Sequence, residues 1–148
     1  MANMSDYLEN ALIDFLARGQ SFSVPTAWYF ALCRTPPVDA STGSNLDEPG
    51  AASGYLRTNL APTQGNWLNT QGTSAAASTG SNGTTSNNAA IAWATTTSAW
   101  GTVNSIAICD ATSGGNVLFW GALSANRIIN SGDTPSFDVG TVSLQIDN

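Results

Sequence analysis

From residue 89 onward, the chain consists of short apolar runs that are separated by turn sequences. The turns are rich in Gly, Asp, Ser and Asn, as in Asp110–Gly115 and Ser131–Asp133. Turns at this spacing are typical of an antiparallel β-sandwich, and no repeated strand–helix alternation favours a parallel α/β sheet. The runs that we predict to be strands cover residues 89–94, 102–109, 116–123, 127–130 and 141–147.

The last of these runs has the clearest alternation. Val142, Leu144 and Ile146 fall on one face, which predicts that this face is buried. Phe137, just upstream, falls in the opposite phase. We therefore predict a bulge or a bend near Gly140.

The N-terminal part of the chain contains one predicted helix, over residues 6–18. Asp6 can act as its N-cap, with Glu9 three residues later as in a capping box. Arg18 in the last turn favours the helix dipole, and Gly19 can adopt the left-handed exit conformation. An apolar stripe at helical spacing predicts that one face packs on the core: Leu8, Leu12, Phe15 and Leu16.

Two further strands and two loops complete the predicted architecture. An aromatic-rich strand over 26–33 is apolar on both faces, so the helix, a second sheet or a neighbouring subunit must cover it. A shorter strand is predicted over 55–60, and flexible loops over 34–54 and 61–88. We predict a single domain over residues 1–148: a mainly β fold, an antiparallel β-sandwich with one N-terminal α-helix and long irregular loops.

The loop over 61–88 has low complexity and few large apolar side chains. Such a segment buries little surface to offset its ordering entropy. It is either a solvated flap or an arm that becomes ordered against a partner.

The charged residues exclude several classes of chemistry. The chain has no His and no Lys, four Arg and a net charge of −6. Serine–histidine triads, Schiff-base chemistry, the lysine-containing phosphate loop and Cys/His zinc sites therefore cannot be built. The acidic charge argues against nucleic acid and anionic membranes as partners. We expect no catalytic residues, no cofactor and no metal site.

Two further alternatives concern the acidic residues. Asp110 and Asp133 lie beside glycines, where Asp is favoured because its side chain binds nearby backbone. A calcium site and a glycan hydrolase that uses two carboxylates are the alternatives. The acidic N-terminus lacks the basic and apolar regions of a signal peptide, so we expect none.

The two cysteines, Cys33 and Cys109, lie within apolar runs. This pattern favours buried thiols, and a disulfide between them is the alternative.

The aromatic residues are the candidates for a binding surface. Trp67 and Leu68 lie in the low-complexity loop, and Trp67 is the residue that we expect to be an exposed anchor. Trp28 and Trp120 lie in predicted strands and are expected in the core or at a subunit interface, as is Trp93. Exposed aromatic residues also stack on sugar rings, which leaves glycan binding open. Our candidates for a partner interface are Trp67, Leu68, Trp28 and Trp120.

Several short motifs, in this order along the chain, resemble small virion proteins of tailed bacteriophages. The motifs cover about two-thirds of the chain and are absent from its long loops. They are Tyr7–Asn10, Trp28–Leu32, Gly54–Arg57, Trp100–Val103, Asp110–Gly115, Leu118–Leu123 and Asn130–Asp133.

This resemblance implies a virion structural protein without a catalytic motif. Our leading expectation is a capsid decoration (cement) protein that binds the outer surface of the shell. Its partners would be the major capsid protein and further copies of itself, as a dimer or trimer, after assembly in the host cytoplasm. The alternative is a tail-fibre or receptor-binding component with a glycan-binding role.

Overall fold

The computed structural model of the protein describes residues 2–74 and 77–146. The described residues form one α-helix, one short 3-10 helix and nine strands. The helix α1 spans Asp6–Arg18 and the 3-10 helix spans Ala51–Ser53. The strands are β1 (Asn3–Met4), β2 (Tyr29–Cys33), β3 (Thr58–Asn59), β4 (Thr84–Ser86), β5 (Ile91–Ala92), β6 (Gly101–Cys109), β7 (Val117–Ile129), β8 (Ser136–Phe137) and β9 (Ser143–Gln145).

A five-stranded antiparallel sheet is the centre of the fold. Its strand order is β1–β7–β6–β2–β3. The register places Ile108 of β6 between Phe30 of β2 and Phe119 of β7. Two small antiparallel ladders, β4–β9 and β5–β8, complete the strands. The prediction of a mainly β fold with antiparallel sheets and one helix is confirmed.

Both faces of β2 are covered, as its apolar pattern predicts. On one face, Phe30 and Ile108 belong to a large core that also contains Trp93 and Leu144 from the two ladders. This packing of ladders on the sheet gives a sandwich arrangement. On the other face, a core of small residues packs against Leu46 of the 34–54 loop; its members are Ala31, Cys33, Ala107, Cys109 and Val117.

The helix has the predicted bounds, but its N-cap is Ser5 and not Asp6. Ser5 has an extended backbone, and its Oγ accepts a hydrogen bond from the Leu8 N–H at 3.3 Å. Asp6 is therefore the first helical residue, and the predicted capping box with Glu9 is wrong. Gly19 ends the helix at φ 68°, as predicted.

Only the first half of the predicted helix stripe reaches the core. Leu8 is buried and Leu12 packs against the core, whereas Phe15 is 51% exposed and Leu16 is 77% exposed. The prediction that the whole stripe is covered is wrong for this chain alone, because the second half of the helix lies outside its own core.

The bounds of several strands differ from the prediction. The strand over 26–33 begins at Tyr29, and the strand over 55–60 is reduced to Thr58–Asn59. The runs 116–123 and 127–130 form one strand, β7. Val103 of β6 pairs with Arg127 of β7, and Ser105 pairs with Ala122. Two residues along β6 therefore correspond to five along β7, and β7 is irregular between these pairs.

The predicted bend near Gly140 is confirmed. Gly140 has φ 78°, and the N–H of Thr141 donates to the carbonyl of Asp138. Downstream, Val142 and Leu144 are buried as predicted, but Ile146 is 66% exposed because β9 ends before it. Residue 147, the end of the predicted strand, lies outside the described residues.

Both long loops contain local structure. The 34–54 loop includes the 3-10 helix, and the 61–88 loop includes β4. The flexibility predicted for these loops remains a prediction. No helix in the described residues is long and apolar enough to cross a membrane.

Candidate functional site

A cleft of about 990 Å³ opens between the central sheet and the C-terminal segment of residues 133–145. Its floor includes Ile106 of β6 and Leu123 of β7, and its opposite wall includes Phe137 and Leu144. The small ladders therefore do not cover the sheet completely. A half-open cleft of this size, with both apolar and polar lining residues, is a candidate binding site.

Part of the cleft floor is an unpaired strand edge. Among the described residues, β7 has β1 as its outer neighbour, and β1 pairs only with Phe119 and Trp120. The segment Gly121–Ile129 therefore has no strand on its outer side, and on its inner side it pairs with β6 except at the irregularity over residues 123–126. Natural proteins usually cover such an edge, because its free N–H and C=O groups can pair with another chain.

The cleft also holds the chain's one arginine without a described partner. Arg18 pairs with Asp14, Arg34 with Asp47, and Arg57 with Glu48. Arg127 lines the cleft and is exposed, with no ion pair or hydrogen bond to another described residue. The site thus combines apolar surface with one exposed arginine and two aspartates, Asp133 and Asp138.

Trp93, which lines this cleft, and Trp120, which packs against the small-residue core on the other face of the sheet, bury indole N–H groups without described acceptors. Trp93 is 3% exposed, and neither its Nε1 nor that of Trp120 has a partner in the described chain. Buried donors of this kind cost about 1–3 kcal/mol each when they are unpaired. The same is true of Trp28 and Trp67, whereas Trp100 donates to the Ser53 carbonyl at 3.1 Å.

The predicted exposure of Trp67 is wrong. Trp67 is 8% exposed, because its ring stacks with Phe30 at 6.3 Å and meets the edge of Trp28 at 5.1 Å. These apolar neighbours outweigh the polar sequence around Trp67. Trp28 and Leu68, which are half-buried, line a small pocket of about 280 Å³ beside it. Trp120 is half-buried also, and an interface role for these four residues remains a prediction.

A buried ion pair, which the sequence reasoning missed, fixes the loops on the opposite face. The Arg57 side chain is 2% exposed, and its Nη2 lies 2.7 Å from Oε2 of Glu48. Tyr55 donates to Glu48 at 2.8 Å and accepts from the Leu32 N–H at 2.8 Å. Burial alone would lower the pKa of Arg57, but the hydrogen bonds and charge of Glu48 more than offset this and raise it. The Gly54–Arg57 motif, which ends at Arg57, is the sequence feature that points to this ion pair.

The remaining donors of Arg57 join two loops. Its guanidinium donates to the carbonyls of Gly43, Ala111 and Gly114 at 2.6, 2.9 and 3.0 Å. The loops also touch directly, since the Gly43 N–H donates to the Gly115 carbonyl at 2.9 Å. This network has every donor satisfied and is a structural clamp.

The two cysteines are buried free thiols, as predicted. Cys33 on β2 lies opposite Ser105 on β6, whereas Cys109 lies opposite Tyr29, four residues further along the pair of strands. The two thiols are therefore held apart. Burial raises the pKa of both thiols to about 12, with the charge of Glu48 adding to the effect. Neither thiol is set up as a nucleophile.

The turn interpretation of Asp110 and Asp133 is confirmed. Asp110 accepts from the backbone N–H and the side-chain amide of Asn116, both at 2.7 Å. Asp133 accepts from the Asn130 N–H at 2.7 Å. Within residues 2–74 and 77–146, no group of three His, Cys, Asp or Glu residues could hold a metal ion.

Comparison with known proteins defines the class to which this β-rich chain belongs. It is a structural protein of the tailed-bacteriophage virion, as its motifs suggested. More narrowly, the chain belongs to the family described as Podophage GP4 fiber I protein gp80, whose sequence model matches residues 3–145. No curated protein matches the chain. The resemblance to virion proteins of tailed phages and the predicted virion location are therefore confirmed.

Proposed function

We propose that the protein is a structural subunit of a fibre on the virion of a tailed bacteriophage. The observation that carries this proposal is the match of residues 3–145 to a family described as a fiber protein. This corresponds to the alternative that the sequence analysis gave for tail fibres, and it replaces capsid decoration as the leading assignment.

The described surfaces support a role in assembly. The protein has an open apolar cleft, an unpaired strand edge and a helix whose second half is exposed. Surfaces of this kind are typical of subunits that pack against other protein chains. Trp67, by contrast, uses its ring faces within the core, which gives no support to a sugar-stacking role. That the protein has no catalytic activity remains a prediction.

Immunogold labelling of intact virions tests the proposed location. An antibody against this protein should label the fibres, and an antibody against the major capsid protein should label the shell of the same particles. Gold that is distributed evenly over the shell by both antibodies would contradict the proposal.

Capsid decoration is the second candidate, and the acidic, lysine-free composition is the observation that favours it. A net charge of −6 suits an outward position, away from packaged DNA. In that case the partner would be the major capsid protein. Purified protein mixed with expanded shells that lack it should then co-sediment with them, whereas a fibre subunit should stay in the supernatant.

A further inference from the structure

We propose that Asn82 is a site of spontaneous deamidation, at which the protein gains a further negative charge and its β4–β9 ladder is loosened as the protein ages. The reaction needs only water, and its product is aspartate or isoaspartate. This inference goes beyond the proposed function and does not depend on where the protein lies in the virion.

Asn82 is the one asparagine of the chain that glycine follows directly. In deamidation of this type, the backbone nitrogen of the next residue attacks the carbon of the side-chain amide. Glycine at that position has no Cβ to obstruct the attack, and it lets the backbone adopt the conformations that the attack requires. The sequence therefore makes the peptide between Asn82 and Gly83 the most reactive of its kind in the chain.

The structure leaves both reacting groups free. Asn82 and Gly83 are exposed, so water reaches them. Within the described residues, neither the Gly83 N–H nor Nδ2 of Asn82 donates a hydrogen bond to a protein group. The Thr84 N–H donates to Oδ1 of Asn82 at 3.3 Å, which holds the side chain beside its own following peptide and polarises the amide. The nucleophile, the amide and water are thus all available.

Asn87, further along the same segment, has the opposite arrangement. Its side chain is fully buried. Its Nδ2 donates to the carbonyls of Ala89 and Asp138 at 2.8 and 2.9 Å, and its Oδ1 accepts from the Val142 N–H at 2.8 Å. An amide that these bonds hold in place, away from water, cannot turn toward the next peptide nitrogen. Asn87 is therefore an internal reference that should keep its amide.

The reaction balances with water as its only co-reactant. The Gly83 nitrogen forms a bond to Cγ of Asn82, and the amide nitrogen leaves as ammonia together with the proton of the Gly83 N–H. The product of this step is a cyclic succinimide. Water then opens the ring, either at Cγ, which gives aspartate, or at the former backbone carbonyl, which gives isoaspartate.

Isoaspartate at this position affects the ladder that forms part of the cleft wall. The Gly83 carbonyl accepts from the Ile146 N–H at 3.0 Å, just before β4 begins. Isoaspartate lengthens the main chain by one methylene immediately before Gly83, so this carbonyl can no longer keep its place opposite Ile146. β9, which pairs with β4, contributes Leu144 and Gln145 to the cleft. The modification should therefore loosen the β4–β9 ladder.

Prolonged incubation of the purified protein in mildly alkaline buffer, followed by peptide mass spectrometry, tests the site. We expect one ammonia to be exchanged for one water first at Asn82, while Asn87 keeps its amide. The rate should rise with pH, because the attacking nitrogen must lose its proton. Anion-exchange chromatography should show a matching acidic species. Asn82→Gln is the matched control: its longer side chain would have to close a less favourable ring, so this variant should not form that species.

Hydrogen exchange measures the effect on the ladder. In the purified isoaspartate form, the amide hydrogen of Ile146 should exchange faster than in the unmodified protein, whereas the amide hydrogens of β2 should be unchanged. Asn82→Asp adds the charge without lengthening the main chain, so its Ile146 amide should exchange at the unmodified rate.

Deamidation of another asparagine before Asn82, or an Asn82 amide that stays intact throughout, would overturn the site. Unchanged exchange at Ile146 in the isoaspartate form would overturn the effect on the ladder. Because immunogold labelling reads location and not covalent change, failure of this inference is distinguishable from failure of the fibre assignment.

Discussion

The Arg57 side chain is 2% exposed, whereas the side chains of Arg18 and Arg34 are 70% and 46% exposed. The charge of Arg57 is removed from water, so Glu48 and three loop carbonyls must replace the lost hydration. A buried pair of this kind is costly to break, because removal of one partner leaves the other charge unpaired.

We therefore predict that Arg57→Ala lowers the free energy of unfolding by about 3–5 kcal/mol. The matched control is Arg34→Ala, because the side chains of Arg34 and Asp47 are 46% and 42% exposed. That exposed pair should contribute at most about 1 kcal/mol. Urea unfolding of the two variants measures both values, and equal losses would contradict the proposed role of the clamp.

The thiols give a second prediction at the residue scale. Their pKa of about 12 compares with an ordinary value of 9.0, so at pH 8 the thiolate fraction should be roughly a thousandfold lower in the folded protein. Alkylation of Cys33 and Cys109 by iodoacetamide should therefore be at least that much slower in buffer than in urea. Rapid labelling of the native protein would show that one of the strands β2 and β6 opens readily.

At the scale of elements, the close approach of two loops depends on one glycine. A Cβ on Gly43 would lie 1.8 Å from the carbonyl oxygen of Gly114, a separation that no side chain can adopt. The short connection between β6 and β7 is therefore in direct backbone contact with the 34–54 loop.

Gly43→Ala should destabilise the protein by several kcal/mol, since one of the two loops must move. Gly50 is the control: it has φ −67°, and a Cβ there would meet nothing within 4 Å. Gly50→Ala should be neutral or slightly stabilising, by up to about 1 kcal/mol. Thermal unfolding of both variants distinguishes these outcomes, and a neutral Gly43→Ala would refute the contact.

Elements that depend on local sequence could be predicted, whereas contacts between distant segments could not. The spacing of Leu8 and Leu12 and the position of Gly19 were sufficient to define α1. The sequence predicts the N-cap one residue late, because Ser5 and Asp6 are both good capping residues. The clamp of Arg57 and the cleft join segments that are far apart in sequence, and no local pattern reports such contacts. The burial of Trp67 is not predictable for the same reason, since its neighbours Trp28 and Phe30 are distant in the chain.

At the scale of the whole molecule, the missing histidine determines the response to pH. The chain has no side chain that ordinarily titrates near neutral pH, and the pKa of both thiols is raised well above that range. We predict that self-association and the free energy of unfolding vary little between about pH 6 and 8. A strong dependence in that window, measured by ultracentrifugation and urea unfolding, would contradict this.

Above this window, stability should fall. The thiols ionise at a lower pH in the unfolded chain, near 9.0, than in the folded protein, near 12. The unfolded state then binds fewer protons, so the free energy of unfolding decreases as the pH rises through this range. Burial and the charge of Glu48 also raise the pKa of Tyr55, which acts in the same direction. A variant with Cys33→Ser and Cys109→Ser should lose less stability over the same range.

The central claim is that this chain is a subunit of a virion fibre, and a cryo-EM reconstruction of the intact particle tests it most directly. The claim predicts that density for the five-stranded sheet and its attached helix lies within a fibre. The same density repeated over the capsid shell, and absent from the fibres, would contradict it.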